Sequence, residues 1–403
     1  MAVYSYKAKT LDGAEITGNM EAVELSDVVT ALREKNYYPV DIKEYKASSN
    51  ITLDQFKKVT TKDISIFCKQ YSVIILAGIS ILRGLEIVKQ QTENPKLRKI
   101  LNAIFEEVQV GISLSEAMKK HTEIPEMLAN MVAVGEASGT LDKIMMRMSD
   151  YYEKEYKLKQ KVKSALTYPV MVAVFALAVV ILLIVKVLPS FVNNIAASGG
   201  ELPLPTMIVM GISDFLIKNG IIIFILVVLM VMFFNIYIRR NPQFREGFDR
   251  LKVNMPLVGK PVKKIITARF ARTFGLLISS GLGVIAALEI CSDIVGNVVF
   301  RNMLNSTKEE IIKGGTIGQA LEGRKLFPVM LTQMIKIGEE SGDLDSVLEK
   351  TAEFYDSEVD EATKKLTTML EPLIIVSLTV VVGFIILAMI MPMFSMYDAM
   401  SAG

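Results

Sequence analysis

Three stretches of this chain abandon the interleaving of polar and apolar positions that governs the rest. Residues 169–188, 220–238 and 372–392 are almost wholly apolar, and Lys186 is the only charge among them. At roughly 1.5 Å rise per residue, each spans the ~30 Å hydrocarbon core of a bilayer as a helix. A single such run could be a buried soluble helix; three of this length cannot. Elsewhere the apolar positions recur with helical spacing. Leu97, Ile100, Leu101, Ile104, Phe105 and Val108 form one i, i+3, i+4, i+7 stripe. The same reading predicts helices near 63–77, 81–91, 96–110, 113–120, 125–137 and 140–164. The last runs directly into the first span, with Tyr168-Pro169 and Glu371-Pro372 as span entries where a helix can kink.

The first 46 residues carry a different pattern. Val3, Tyr4 and Tyr6, a turn at Leu11-Asp12-Gly13, then Ile16 and Met20 predict a β-hairpin. A helix over about 26–35 with Val28, Val29 and Leu32 on one side follows, and Val40 and Ile42 suit a third strand. Residues 47–62, with Ser48, Ser49 and Asn50, read as a linker.

Shifted by 203 positions, the chain matches itself. Gly78 meets Gly281, Glu86 meets Glu289, Gly111 meets Gly314, Pro125 meets Pro328, Tyr152 meets Tyr355 and Pro189 meets Pro392. The best window sets AVGEASGTLD (133–142) against KIGEESGDLD (336–345), identical at six of ten positions. The paired positions are Gly135, Glu136, Ser138, Gly139, Leu141 and Asp142 in the first copy, and Gly338, Glu339, Ser341, Gly342, Leu344 and Asp345 in the second. Each copy also ends at a proline-led span, Pro169 or Pro372. A single register held from Phe67/Phe270 to Phe191/Phe394 is a parallel duplication. Within each copy, Ser113 with Glu116, and Thr316 with Gln319, predict capping boxes. Pro125 and Pro328 suit a following helix start, and Thr140 and Asp343 are expected caps of the helix after the GExSG turn. Two copies in one orientation need an unrepeated return span between them, which 220–238 supplies.

Charge sets the expected orientation. Lys157, Lys159, Lys161 and Lys163 precede the first span; Arg239, Arg240, Arg245, Arg250 and Lys252 follow the second; Lys364 and Lys365 precede the third. Between the first two spans only Lys218 appears, so the N-terminus is expected inside and the C-terminus outside. Lys186 then snorkels to the outer interface. No leader with a basic and then apolar run opens the chain, so the first half is expected in the cytoplasm. The layout is therefore a small cytoplasmic α+β module (1–46), a linker (47–62), a first helical bundle (63–165), a span (166–188) and an extracytoplasmic loop (189–219). A second span (220–238), a second bundle (239–368), a third span (369–392) and an extracytoplasmic tail (393–403) complete it.

Composition removes most chemistry. The net charge is +2 and mean hydropathy +0.39, which gives no basic surface for nucleic acid. Cys68 and Cys291 make neither a disulfide framework nor a metal cluster, and read as small buried hydrophobes. No phosphate-binding GxxxxGK[ST] loop is present, and the sole histidine, His121, reads as a helix-end residue. No catalytic residue, cofactor or metal is expected. Glu136 and Glu339 read as carboxylates held by a helix dipole, with a partner contact or cation at an oligomer interface as the alternative. Glu349, Glu353, Asp356, Glu358, Asp360 and Glu361 read as a solvated face, with docking of basic partner residues as the alternative.

Together, YKAKTLDG, Glu21-Ala22, ALREKNYYPV, the duplicated GExSGxLD and the proline-led spans resemble the type II secretion F / type IV pilus C family of inner-membrane platform proteins. The resemblance implies a non-enzymatic platform in the cytoplasmic (inner) membrane. Its implied partners are a hexameric cytoplasmic assembly ATPase, pilin or pseudopilin subunits, other inner-membrane assembly proteins and further copies of itself. The fold expected is an all-α membrane protein of two tandem six-helix bundles, each leading into a transmembrane helix, with three spans and the small front module. An oligomeric channel or transporter subunit is the rival, and it would show charged or broken helices at mid-bilayer. Only Asn235, Ser377 and Thr379 are polar there.

Overall fold

The computed structural model describes residues 2–9, 15–22, 25–34, 37–44, 57–196, 203–324 and 326–401. They form two compact units, Met1–Val59 with Glu93–Lys99, and Thr60–Thr92 with Ile100–Gly403. In the first unit, β1 (Ala2–Lys9) lies between β2 (Glu15–Ala22) and β3 (Tyr38–Glu44), antiparallel to both. The β1–β3 register shifts between Lys7 and Ala8, where Pro39 faces Ala8 and has no N–H to donate. Helix α1 (Leu25–Glu34) lays fully buried Val28 and Leu32 against Tyr4 and Tyr37. The Leu11-Asp12-Gly13 turn and most of the 47–62 linker lie outside the described residues.

The duplication is visible helix by helix. The first copy comprises α2 (Thr61–Leu76), α3 (Ile81–Gln91), α4 (Pro95–Gln109), α5 (Leu114–Lys119), α6 (Glu126–Ser138) and α7 (Leu141–Leu182). A π-helical turn (Leu183–Val187), α8 (Leu188–Ala196), α9 (Leu204–Arg240) and α10 (Pro242–Asn254) follow. The second copy comprises α11 (Gly259–Ser279), α12 (Val284–Ile294), α13 (Val298–Ile312), α14 (Ile317–Glu322), α15 (Val329–Ser341) and α16 (Leu344–Ser401).

In both copies the first helix lies along the last, α2 on α7 and α11 on α16. Stacked rings at the same register, Phe67 with Tyr71 and Phe270 with Phe274, anchor the two cores at 5.8 and 5.3 Å. Small residues let the backbones close. Ser65 and Ser149 each donate to the other's carbonyl at 3.0 and 3.2 Å, and the second copy replaces the pair with buried Ala268 and Ala352. Helix starts follow local chemistry. Thr60 and Asp63 form a full capping box on α2, and the Ser113 and Thr316 hydroxyls accept from the amides of Glu116 and Gln319 at 3.3 Å.

Three helices, within 141–192, 204–234 and 344–394, are long and apolar enough to cross a membrane. Both repeat helices run from bundle to span without a break, through Pro169 in α7 and Pro372 in α16. The segment 189–219, expected as a loop, contains α8 and the first half of α9. Ser213, Asp214 and Lys218 lower its hydropathy but do not end the helix. Likewise α10 has no counterpart in the first copy.

The spans meet at the ends remote from the bundles. Ile184, Leu188, Val192, Val209, Ile385 and Ala388 form one buried cluster there. Two prolines at equivalent repeat positions shape it. Pro392 cannot donate to the carbonyl four residues back, Ala388, which accepts instead from the buried Thr206 hydroxyl at 2.5 Å. In the π-turn the Leu188 N–H bonds to the Leu183 carbonyl, so the next carbonyl in register, Ile184, faces Pro189. It accepts from the buried Ser213 hydroxyl at 2.7 Å. Helix α9 thus satisfies both proline-freed carbonyls, as an apolar surround requires.

Cys68 and Cys291 are fully buried and unpaired, and desolvation pushes both thiols up from their ordinary range. A thiol raised this way stays protonated through neutral and mildly alkaline pH, so neither is expected to react with iodoacetamide at pH 8 in the folded protein. Mass spectrometry should find both modified only after denaturation. Rapid labelling of either in the native state would contradict this packing.

Candidate functional site: the paired GExSGxLD turns and the joint between copies

Each GExSGxLD segment is the end of one helix, a tight turn and the start of the helix that becomes a span. The turn needs glycine twice. Gly139 and Gly342 adopt φ of 69° and 71°, the left-handed ending that L side chains rarely take. The next residues, Thr140 and Asp343, donate back to the carbonyls of Gly135 and Gly338 at 3.0 and 3.1 Å. Gly135 and Gly338 answer to close approach instead. A Cβ at Gly135 would stand 3.0 Å from the Leu141 Cα, and one at Gly338 would stand 2.9 Å from the Leu344 Cα. Any side chain there wedges α6 off α7, or α15 off α16.

Glu136 and Glu339 reach backwards from the last turns of α6 and α15. The Glu136 carboxylate accepts from the Leu114 amide at 2.7 Å, the Ser115 amide at 3.1 Å and the Ser115 hydroxyl at 2.6 Å. Glu339 accepts from the Ile317 and Gly318 amides at 2.6 and 2.7 Å. The first amides of α5 and α14 have no intrahelical acceptors, so a charged acceptor satisfies them and meets the positive dipole end. The helix served is two elements back in sequence, not the one that follows the turn.

The remaining motif residues are local. Ser138 and Ser341 donate to the carbonyls of Val134 and Ile337, both at 2.7 Å. Asp142 and Asp345 place a carboxylate in the first turns of α7 and α16. Thr140, expected to cap α7, makes no capping bond. At φ −114° and ψ 34° it lies outside the extended cap geometry, and its hydroxyl sits 2.7 Å from that of Ser138.

The structure adds a site that sequence reasoning missed, where α7, α11 and α16 meet. Glu155 on α7 is 5% exposed and takes both Arg269 and Arg272 of α11, at 3.3 and 3.4 Å. Arg272, itself 9% exposed, extends to Asp356 of α16. Asp356 therefore belongs to an inter-copy ion cluster rather than a solvated face. Tyr151 and Thr273 share a hydroxyl bond of 3.1 Å beside it, and burial, helped by Glu155, pushes the Tyr151 phenol well above its usual range. Arg147 reaches across to the Ser279 carbonyl at 2.9 Å. These groups flank a cleft of ≈ 520 Å³ lined by α7, α11 and α16, with Lys154, Gly275 and Asp345 on its walls. Contact continues toward the spans through Lys161–Asp360 at 2.6 Å and the Thr367 hydroxyl at 3.4 Å from the Ala165 carbonyl. Pro169 leaves that carbonyl without its helical donor.

A signal for this cluster was available. At the repeat offset, Arg272 corresponds to Lys69, Asp356 to Glu153 and Glu155 to Glu358, so the charge signs recur in both copies. Only one set is buried against the partner copy; Lys69 is exposed. Elsewhere, His121 lies in the α5–α6 connection. Among the described residues, no three His, Cys, Asp or Glu side chains gather to hold a metal ion. The Asn235 side chain lies outside the described residues, while Ser377 and Thr379 donate to their own helix's carbonyls.

A family model described as type II secretion system (T2SS), protein F matches residues 67–189 and again 270–392, the same 203-residue displacement. A second, type II secretion system protein F, N-terminal domain, matches residues 1–43. The chain is 36% identical to the type IV pilus assembly protein PilC of Thermus thermophilus, over 100% of both chains. It is 35% identical to that of Pseudomonas aeruginosa, over 91% of this chain and 97% of the relative. It is 30% identical to the type II secretion system protein F of Vibrio cholerae, over 100% of both.

Proposed function

This chain belongs to the type II secretion system protein F family, an inner-membrane platform of type II secretion and type IV pilus machines, and from that premise we propose that it is a mechanical adaptor. A hexameric cytoplasmic ATPase pushes on the two bundles and the front module. The helices α7 and α16 carry that motion into the bilayer, where the spans offer a surface to the apolar helices of pilin-like subunits. The bundles and the N-terminus face the cytoplasm, and the C-terminus lies outside, as the lysine and arginine asymmetry favours. The chain itself catalyses nothing; it assembles with further copies and other inner-membrane assembly proteins.

One observation carries the reading. Each bundle ends in a helix that continues unbroken into a span, and the two such helices are bolted together by Glu155, Arg272 and Asp356. A stiff rod transmits displacement; a flexible linker does not. Leu158, buried in α7 between cluster and membrane, is the place to test it. Leu158→Pro removes a helical hydrogen bond and clashes with the preceding turn, at a cost of about 3 kcal/mol or more. It is expected to abolish piliation or secretion at normal membrane abundance, whereas Leu158→Ala, which keeps the helix, retains most of it. Full assembly by the proline variant would refute rigid transmission.

A further inference from the structure

Helix α10 sits where no repeat counterpart constrains it, directly after α9, with only Asn241 between them. Its two sides do different work. One is bolted to the second copy: Val253 is buried, and the buried Asp249 carboxylate accepts from the Val298 amide at 3.1 Å. The other side carries Phe244, Phe248 and Leu251, spaced four and three apart as one helical stripe, and Met255 extends it at the C-terminal cap, where its N–H still bonds to the Leu251 carbonyl. Phe244, Leu251 and Met255 are 42%, 57% and 46% exposed. Among the described residues, these three large apolar side chains stay largely uncovered on the side away from their own bundle.

The stripe points toward the membrane end of α9. Phe244 packs edge-on against Phe234 and Tyr237 at 5.7 and 5.3 Å between ring centres, and Phe248 meets Phe234 at 6.4 Å. Phe234 and Tyr237 occupy the last two turns of the span, the depth at which aromatic belts lie. Cations flank the stripe: Arg250 and Lys252 are exposed, and the Lys252 ammonium lies 4.4 Å from the Phe248 ring centre. An apolar stripe edged by lysine and arginine and continuous with a span fits a helix lying in the bilayer surface.

We propose that α10 is an interfacial helix, its Phe244–Phe248–Leu251–Met255 stripe embedded among the headgroups and upper acyl chains of an anionic leaflet. It seats the second bundle against the membrane at a fixed height. The inference rests on α9 being a span, and its test separates the two. Nitroxides are placed at Leu251→Cys, Met255→Cys, Arg250→Cys and Val228→Cys of the full chain in a Cys68→Ala, Cys291→Val background. Those replacements are the residues the other copy carries at the same positions, Ala271 and Val88. The protein is reconstituted in phosphatidylethanolamine–phosphatidylglycerol vesicles, and oxygen and nickel-chelate accessibilities are read by electron paramagnetic resonance.

Labels at 251 and 255 are expected about 5–10 Å below the phosphates, the label at 250 in water and the label at 228 deep in the acyl chains. In phosphatidylcholine vesicles the 251 and 255 labels should move toward water, because the cations lose their anionic partners. Aqueous signals at 251 and 255 with a lipid signal at 228 overturn the interfacial helix alone. Protection from both reagents at 251 and 255 overturns it in favour of a covering protein, either a second copy or a partner. An aqueous signal at 228 removes the span itself.

Discussion

Replacing Arg272 with alanine is expected to destabilise the helical bundles of this protein by roughly 3 kcal/mol. The guanidinium bridges Glu155 and Asp356 while buried beneath α7, and removing it leaves Glu155 with Arg269 alone in a desolvated site. Breaking a buried pair costs about 3–5 kcal/mol because the stranded charge has no water to return to, and the surviving Arg269 contact places this case at the lower end. In thermal unfolding of the detergent-solubilised protein that is a fall of roughly 6–12 °C. Arg272→Lys should recover only part of it, since a single ammonium cannot span two carboxylates as a fork does. Adding Glu155→Gln to Arg272→Ala should recover some stability by removing a buried charge left with one partner instead of two, giving a coupling that a double-mutant cycle reads directly. An Arg272→Ala protein melting within a degree or two of the parent would mean that the cluster is solvated.

The glutamates of the GExSGxLD turns make the second large prediction, and one that separates structure from partner contact. Glu136→Ala strips three donors of α5, the Leu114 and Ser115 amides and the Ser115 hydroxyl, of their acceptor. At about 1.5–3 kcal/mol per hydrogen bond to a charged group, with water replacing part of each, a net loss of roughly 2–3 kcal/mol is expected. Glu339→Ala strips two amides and should cost somewhat less. Hydrogen exchange localises the effect: amides at the starts of α5 and α14 should exchange roughly 30-fold faster for each 2 kcal/mol lost. Glu136→Gln keeps one acceptor but turns an NH2 toward a donor, so its effect should be intermediate. If Glu136→Ala instead abolished assembly while stability and exchange stayed at parental values, the carboxylate would be a partner contact and its capping role incidental.

Those two sites show which physical information a sequence exposes. The spans are composition, and the duplication is identity at a fixed offset, so both were readable without coordinates. So were the starts of α5 and α14, because a cap involves residues three apart. The acceptor role of Glu136 was half visible: a recurring carboxylate near a turn suggested a dipole partner, but the amides it serves lie 22 and 21 positions upstream. The Glu155–Arg272–Asp356 cluster joins positions 117 and 84 apart, distances at which no helical period speaks. From charge pattern alone, Asp356 therefore reads as part of a solvated face. The span reads as 220–238 while helix α9 begins at Leu204, because Ser213, Asp214 and Lys218 dilute the hydropathy of its first turns. Of those three, Ser213 is polar for a reason outside its own helix, the carbonyl of Ile184.

That hydroxyl and its counterpart on Thr206 have a mechanical consequence. Each closes a gap opened by a proline, and in hydrocarbon no solvent stands ready to replace it. Sliding α9 by one turn along either neighbour would leave a naked carbonyl, so the three spans are pinned where Pro189 and Pro392 lie. Nearer the bundles, α9 from Ile221 to Phe233 is mostly exposed among the described residues. The α7 and α16 spans are joined again at their bundle ends, through Lys161–Asp360 and the Thr367 hydroxyl on the Ala165 carbonyl, so α9 is the member that can swing about the apex. A displacement of α9 therefore changes the gap between it and the α7–α16 pair, with the apex as its fulcrum.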